Sequence, residues 1–295
     1  MALIWGYNWV VMKVALRYAD PQVFVALRVF LAAVLLFSVL VVLRRPLRPV
    51  DLRMTLVVGL LGMAGSLGLA TWALRNGGAG KTAVLVYTMP IWLVLMSRVF
   101  LRERLGALQW FSVLLAVAGL FFVVSPWRMG GSLLSSALGV TSGLCWAGSA
   151  VAAKILSGRR QADLLSLNAW QMLLGSIPLV VLAFLTWDSG PEWSGAFVAA
   201  LLFNVVLATG VALLLWFYAL KKLPAGVVGL ASLAAPVLGV ISAWIQLGER
   251  PDRYEAVGII LIIAALGALT ARGLATRSTS ASHEAAERVL REESR

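Results

Sequence analysis

The chain has 295 residues, of which 61% are hydrophobic and only 13% are charged, too few polar residues to cover the surface of a soluble domain. Its formal net charge of +12 does not indicate a nucleic-acid partner, because the basic residues separate long apolar runs, and Lys and Arg collect in the cytoplasmic loops of membrane proteins. The single cysteine, Cys145, lies inside an apolar run, which excludes a disulfide framework and a cysteine-rich metal site.

Apolar stretches long enough to cross a bilayer divide the chain. A helix that crosses the hydrocarbon core needs about 20 apolar residues. Ten spans are predicted, at 1–18, 23–43, 53–74, 80–99, 106–125, 133–156, 163–187, 195–218, 225–247 and 255–272. The connections are short and carry Gly and Pro, so consecutive helices are expected to be antiparallel neighbours. The predicted fold class is an all-α membrane protein with ten transmembrane helices.

The charges of the loops predict the orientation of the chain. An even number of spans puts both termini on one side, and the loops of that side hold eleven Lys and Arg residues against six on the other. The eleven are Arg44, Arg45, Arg48, Arg53, Arg98, Arg102, Arg104, Arg159, Arg160, Lys221 and Lys222, and the six are Arg17, Arg75, Lys81, Arg128, Arg250 and Arg253. By the positive-inside rule, we expect both termini to be cytoplasmic, in a protein of the cell inner membrane.

The two halves of the chain are related by an internal repeat. The first span has Trp5 and Lys13 at the same eight-residue separation as Trp146 and Lys154 in the sixth. Six further residues recur with one offset of 146; they are Ala73, Leu74, Gly80, Pro90, Glu103 and Arg104, matched by Ala219, Leu220, Gly226, Pro236, Glu249 and Arg250. Five spans per repeat is an odd number, so the second copy enters the membrane from the opposite side. We predict a first five-helix repeat over 1–127, an inverted repeat over 128–275, and a polar cytoplasmic tail over 276–295.

These motifs also carry a family resemblance. The opening Trp-Gly-Tyr-Asn-Trp-Val-Val-Met-Lys at 5–13, the Ala-Leu-Arg at 26–28, and the stretch from Pro90 to Leu-Arg-Glu-Arg at 101–104 with its second copy resemble the drug/metabolite transporter superfamily, in its EamA branch. Within that branch the chain is most similar to the YddG-type exporters of aromatic and other neutral amino acids. The resemblance covers essentially the whole chain and implies ten helices, an inverted repeat, a central cavity and export of metabolites.

Three basic residues lie well inside the predicted spans: Lys13, Arg28 and Lys154. Ionisable side chains inside a bilayer are costly, and each is a functional candidate for this reason. On the predicted topology Lys13 and Arg28 lie in the outer half and Lys154 lies near the inner end, so that a lysine stands toward each mouth of the pathway. Contact with a charged substrate and snorkelling to lipid head groups both stay open for each of them.

Acidic residues have the opposite distribution, since every Asp and Glu falls at a span end, in a loop or in the tail. An exporter that trades protons for cationic drugs needs a carboxylate deep in the membrane. The sequence therefore argues against cationic substrates and against carboxylate-based proton coupling. A zwitterion fits better, because its carboxylate can meet Lys, Arg or a helix N-terminus.

Aromatic residues and prolines complete the predicted site. Deep aromatic side chains either pack in the core or line a cavity suited to apolar and aromatic ligands. A proline in the middle of a span kinks the helix and frees a backbone carbonyl. The residues predicted around a central cavity bounded by the first, fourth, sixth and ninth spans are Trp9, Tyr87, Pro90, Trp92, Trp146 and Pro236.

The leading hypothesis is a secondary transporter, not an enzyme, that exports neutral, aromatic amino acids by alternating access. Its expected partners are a small-molecule substrate and the lipid bilayer, and no metal or cofactor is expected. A monomer is one of the oligomeric states that the sequence allows. The alternative transporter would carry anionic metabolites with Lys13, Arg28 and Lys154 as the clamp. A membrane-embedded enzyme would need a cluster of reactive side chains inside the spans, which the sequence lacks. A scaffold protein would have no accessible cavity.

Overall fold

The computed structural model describes residues 1–49, 51–101, 107–124, 133–159, 163–223, 234–254 and 256–265, together with 225, 228, 232 and 267–268. All regular secondary structure in these residues is helical. The predicted boundary between the repeats at 127 and 128 and the predicted tail at 276–295 lie outside the described residues.

The helices are numbered here in chain order. The first five are α1 (Ala2–Ala15), α2 (Pro21–Val42), α3 (Leu52–Arg75), α4 (Ala79–Phe100) and α5 (Ala107–Val124). The next five are α6 (Leu133–Arg159), α7 (Leu164–Leu185), α8 (Gly195–Lys222), α9 (Ala234–Leu247) and α10 (Ala256–Ala265). Among the described residues, six of these helices are long and apolar enough to cross a membrane: α2, α3, α4, α6, α7 and α8.

The predicted all-helical, membrane-spanning character is therefore confirmed, whereas the number of crossings is not. Helix α1 has 14 residues, which span about 21 Å against a hydrocarbon core of about 30 Å. Helix α9 also has 14 residues, and the described part of α10 is shorter still. Ten crossings in two inverted repeats stay a prediction.

Large apolar side chains cover much of the outer surface. Those more than 60% exposed include Val42, Val99, Phe100, Leu114, Phe184 and Leu185. Soluble proteins rarely expose contiguous apolar patches of this kind. Such a surface is suited to contact with lipid chains.

Acidic side chains at the helix ends cap the helices. The carboxylate of Asp51 accepts a hydrogen bond from the Met54 N–H at 3.1 Å, at the start of α3. Asp163 accepts hydrogen bonds from two N–H groups at the start of α7, of which the Leu165 N–H is at 2.9 Å. Because the first N–H groups of a helix have no partner within the helix, these carboxylates satisfy donors that would otherwise be unpaired. Capping thus accounts for these two acidic residues at span ends.

The helix ends form two rims. The Asp20 rim consists of 16–20, 75–78 and 188–194, and the Asp163 rim consists of 43–49, 163–166 and 221–223. At the first, Asp20 pairs with Arg75 at 2.9 Å, and the Glu192 N–H donates to the Tyr18 carbonyl at 2.7 Å. At the second, the Trp170 Nε1–H donates to the Leu47 carbonyl at 2.7 Å. The two rims lie at opposite ends of α2 and α7.

The packing of the helices follows the internal repeat. Helix α1 packs on α9 and α8, as α6 packs on α4 and α3, while α2 packs directly on α7. When each helix is replaced by its counterpart in the other half, α1–α9 becomes α6–α4 and α1–α8 becomes α6–α3. The pair α2–α7 becomes itself. Helices α3 and α8 also each contain a π-helical segment, at Leu60–Gly68 in α3 and at Phe203–Val211 in α8. π-Helical turns are rare and often occur at functional sites.

Helix α3 crosses α7 with backbone against backbone. A Cβ atom built on Gly59 would lie 2.5 Å from the Gln171 carbonyl oxygen, and one built on Gly175 would lie 2.5 Å from the Gly59 carbonyl oxygen. Side chains do not reach such distances, so only glycine permits this approach. Small residues commonly bring membrane helices together in this manner.

We expect Gly175→Ala to lower the melting temperature of the purified protein in detergent. The added methyl group has to separate two backbones, and overpacking of this kind costs about 1–3 kcal/mol. The matched control is Gly195→Ala at the start of α8, where an added Cβ meets nothing within 4 Å. Equal melting temperatures for the two variants would contradict the close crossing.

Candidate functional site

A cavity of about 50 Å³ lies among α1, α2, α3, α4 and α6. One face of α1 supplies a third of its lining, with Trp5, Asn8, Trp9 and Met12. Their spacing of three and four residues places them on a single side of the helix. The prediction named the first, fourth, sixth and ninth spans, whereas α2 and α3 contribute to the lining and no described residue of α9 does.

Arg28 contributes a positive charge to the cavity wall. Its side chain is 2% exposed, and its Nε donates to the Thr209 hydroxyl at 2.7 Å while its Nη1 lies 3.3 Å from the Met12 sulfur. Among the described residues, no carboxylate lies within ion-pair distance of the guanidinium. A buried cation without an anionic partner is strongly destabilising. An anionic group that entered the cavity would offset this cost.

Asn8 adds a polar group to the same cavity. Its side chain is buried, and its Oδ1 accepts no hydrogen bond from the described residues. The hydroxyl of Ser66, also in the lining, lies 3.2 Å from the Ser142 hydroxyl, so that it already has a partner. An unpaired buried acceptor costs about 1–3 kcal/mol, and Asn8 is therefore the amide most in need of a donor at this site.

Four aromatic side chains contribute to the remaining wall, beside five aliphatic ones. Trp9 meets Tyr87 edge to face, with ring centroids 6.4 Å apart. Trp5 and Trp146 meet at 5.3 Å, and Trp216 contacts both at 5.6 and 6.1 Å. We call Trp5, Trp146 and Trp216 the tryptophan cluster. It lies near the end of α8 and the start of α1, on the side of the cavity that faces the Asp163 rim.

A hydrogen bond holds the tryptophan cluster against α8. The Trp5 Nε1–H donates to the carbonyl of Ala208 at 2.9 Å, within the π-helical segment of α8. Trp216 is 1% exposed. At the repeat offset of 146, its counterpart in the first half is Ala70 of α3. The first half thus has a methyl group in the cavity wall where the second half has an indole. This difference leaves space beside Ala70 and fills the equivalent space beside Trp216.

The two lysines lie at helix ends. The Nζ of Lys13 donates to the carbonyls of Leu74 and Gly77 at 2.8 and 2.6 Å, at the end of α3. The Nζ of Lys154 donates to the carbonyls of Leu220 and Leu223 at 3.0 and 2.8 Å, at the end of α8. A cation at a helix C-terminus satisfies free carbonyls and complements the helix dipole.

The structure therefore brings Arg28 into the cavity and neither lysine. The clamp of three cations required by the alternative hypothesis of an anion carrier is not assembled in this arrangement. Snorkelling does not describe the lysines either, since both donate to backbone carbonyls of other helices.

Of the predicted aromatic residues, Trp9, Tyr87 and Trp146 lie in the cavity wall, and Trp92 does not. The indole of Trp92 packs against the core, and its buried Nε1–H has no partner among the described residues. Pro90 is also absent from the wall, but it follows a break in α4 between Val86 and Met89 that directs Tyr87 toward the cavity. Pro236 lies within α9, and its side chain is outside what the structure describes.

Sequence reasoning did not place Trp5 in the site, although the repeat held the signal. Trp5 is the counterpart of Trp146 in the first span, and the cavity uses both. Asn8 is one of several amide side chains inside the predicted spans, and nothing in the sequence distinguishes it from the others. Met12 and Ala70 carry no chemical signal, and packing alone places them.

Comparison with known proteins agrees with this architecture. A sequence model described as the EamA-like transporter family matches residues 1–125 and again 133–271. An uncharacterized transporter of Bacillus subtilis (strain 168), YoaV, is 31% identical over 269 residues, which cover 89% of this chain and 91% of the relative.

Two further relatives carry a functional description. Both are described as a probable amino-acid metabolite efflux pump, one from Escherichia coli (strain K12) and one from Salmonella typhimurium (strain LT2), and they are 27% and 25% identical. Each alignment covers 90% of this chain and 91% of the relative. A solved crystal structure that is 17% identical matches with a TM-score of 0.69 over 91% of this chain and 94% of that chain. At this identity the likeness concerns the fold alone.

We expect Lys13→Met and Lys154→Met to lower the melting temperature while relative affinities for different ligands stay unchanged. Each substitution removes hydrogen bonds from a charged donor, which contribute about 1.5–3 kcal/mol, at a place outside the cavity. Thermal melting and competition binding on the purified variants measure the two effects, with Lys222→Met at the exposed end of α8 as the control. A change of ligand preference without loss of stability would contradict a role at the helix ends.

Proposed function

Because this chain belongs to the EamA-like transporter family of multi-pass membrane proteins, we propose that it exports neutral, aromatic amino acids by alternating access. Membership in the family agrees with the resemblance seen in the sequence. The narrower specificity of the YddG-type exporters is part of the proposal.

One observation carries the choice of substrate. Arg28 lies unpaired by any described carboxylate in a cavity whose other walls are mainly aromatic and aliphatic. A substrate carboxylate would neutralise the guanidinium. Trp9, Tyr87 and the two members of the tryptophan cluster that line the cavity would contact an aromatic side chain, with a gain of about 0.5–1.5 kcal/mol beyond burial for each ring pair. The two relatives described as probable efflux pumps for amino-acid metabolites support the same class and the direction of transport.

The cavity is small for such a substrate. Its volume of about 50 Å³ is well below the roughly 300–1,000 Å³ of typical small-molecule sites. Binding therefore requires the walls to separate, and alternating access supplies that rearrangement. The tryptophan cluster would open toward the Asp163 rim in one step and close again in the other.

The same proposal includes two inverted five-helix repeats with the Asp163 rim on the cytoplasmic side of the inner membrane. The exchange of helix pairs between the halves supports it, as does the match of one family model to both halves. The paired lysines at the ends of α3 and α8 add a third, chemical correspondence. The basic residues of the Asp163 rim favour the cytoplasmic assignment.

A carrier of anionic metabolites is less well supported. A phosphate or dicarboxylate carries more than one negative charge, and the described lining supplies a single guanidinium while both lysines bond to backbone carbonyls. A carrier with one cation in an aromatic cavity is better matched to one carboxylate.

We expect Arg28→Gln to reduce transport of labelled phenylalanine into proteoliposomes by at least about tenfold. The substitution removes the charge that binds the carboxylate, and loss of one partner of a buried charged pair costs about 2–5 kcal/mol. The control is Arg45→Gln on the Asp163 rim, where the arginine side chain is 60% exposed. Unchanged transport in Arg28→Gln, or wild-type protein that moves no neutral amino acid, would refute the proposal.

We also expect transport to persist when the proton gradient is collapsed and a substrate gradient remains. In the described residues, the acidic side chains lie at helix ends and rims, so that none is placed to carry a proton across the membrane core. Counterflow of labelled phenylalanine, with and without a protonophore, measures this. Strict dependence on the proton gradient at a fixed substrate gradient would show that another group couples to protons.

A further inference from the structure

We propose that Asn8 binds the ammonium group of the substrate and thereby limits the site to zwitterions. This inference rests on the proposed function, since it divides the recognition of one amino acid between two residues of the same cavity. It assigns the carboxylate to Arg28 and the ammonium to the amide of Asn8. A ligand that carries only one of these two charged groups would then bind more weakly than an amino acid.

The burial of the two side chains shows a built polar site. Asn8 is 5% exposed and Arg28 is 2% exposed, and both line the cavity. Asn8 Oδ1 accepts no hydrogen bond from the described residues. An amide oxygen is a good acceptor for an ammonium group, which donates three hydrogen bonds and accepts none.

Arg28 and Asn8 lie at neighbouring levels of the cavity wall. The guanidinium of Arg28 contacts Met12, and Asn8 lies one turn before Met12 on the same face of α1, a rise of about 6 Å along the helix. An α-carboxylate and an α-ammonium are attached to the same carbon, so that their partners have to lie close together in one cavity. Arg28 and Asn8, which both line the cavity, meet this requirement.

The tryptophan cluster occupies the next position along the same line. Trp5 lies on α1 beyond Asn8, where it meets Trp146, while Trp9 and Tyr87 lie at the level of Asn8 itself. An amino acid bound by its head to Arg28 and Asn8 would point its side chain toward the tryptophan cluster. The order of cation, amide and aromatic rings along one helix face sets the orientation of the substrate.

A series of three ligands tests the assignment. Phenylalanine has both charged groups, 3-phenylpropionate lacks the ammonium, and phenethylamine lacks the carboxylate. Competition with labelled phenylalanine for binding to the purified protein gives the affinity of each. In the wild type we expect phenylalanine to bind at least about tenfold more tightly than either analogue, because each analogue leaves one buried group unpaired.

The variant Asn8→Leu replaces the amide with an alkyl group of similar size. We expect it to reduce the preference for phenylalanine over 3-phenylpropionate by at least about tenfold, while the preference over phenethylamine is retained. Asn204→Leu is the matched control, because Asn204 is also a buried amide whose Oδ1 accepts no hydrogen bond from the described residues, but it lies outside the cavity wall. A uniform loss of affinity for all three ligands in Asn8→Leu would overturn the assignment.

The variant Asn8→Asp keeps the acceptor and adds a negative charge, which covers the case in which Asn8→Leu does not fold. We expect it to favour phenethylamine and disfavour 3-phenylpropionate relative to wild type. Tighter binding of 3-phenylpropionate would overturn the proposal. Wild-type protein that binds 3-phenylpropionate as well as phenylalanine would also overturn it while leaving a carboxylate site at Arg28. A failure of the wild type to transport any neutral amino acid would instead refute the proposed function.

Discussion

The interior of a bilayer offers no hydrogen bonds, so every interruption of a helix has to be satisfied by another part of the protein. This constraint determines where many polar side chains of this chain lie. Lys13 and Lys154 bond to the last carbonyls of α3 and α8, and Glu249 accepts the Gly80 N–H at 3.2 Å at the start of α4. The turn between α3 and α4 is thus held by a cation on its carbonyl side and a carboxylate on its amide side. Two lysines that look functional in the sequence thus form hydrogen bonds to the backbone of other helices.

The helices and the internal repeat could be predicted from the sequence because both follow from strong local signals. The long apolar runs, the acidic residues at span ends such as Asp51 and Asp163, and the paired lysines all have a direct structural counterpart. The site could be predicted only in part. Arg28, Trp9, Tyr87 and Trp146 line the cavity, but the depth of a long side chain in a span does not reveal which way it extends. Lys13 and Arg28 were indistinguishable in the sequence for this reason.

Divergence between the two halves gives the cavity its position and charge. Ala70 corresponds to Trp216 at the repeat offset of 146. The Ala-Leu-Arg at 26–28 has its counterpart in the Ala-Trp-Gln at 169–171, so that Gln171 stands where the first half has Arg28. One half therefore contributes space and a positive charge, while the other contributes a large ring and a neutral amide. A duplication with two identical halves would have placed equal polar groups on both sides. The substitution of a few side chains was enough to make an asymmetric site within a symmetric arrangement of helices.

The glycine crossing of α3 and α7 has a mechanical consequence. Where Gly59 and Gly175 meet, two backbones touch with no side chains between them. Interlocked side chains would have to separate before such helices could turn against each other, and here there are none to separate. The glycines fix how near the two helices lie, and no side chains at this point would oppose a change in the angle between them. Under the proposed alternating access, this contact is the pivot about which the first half would tilt on the second.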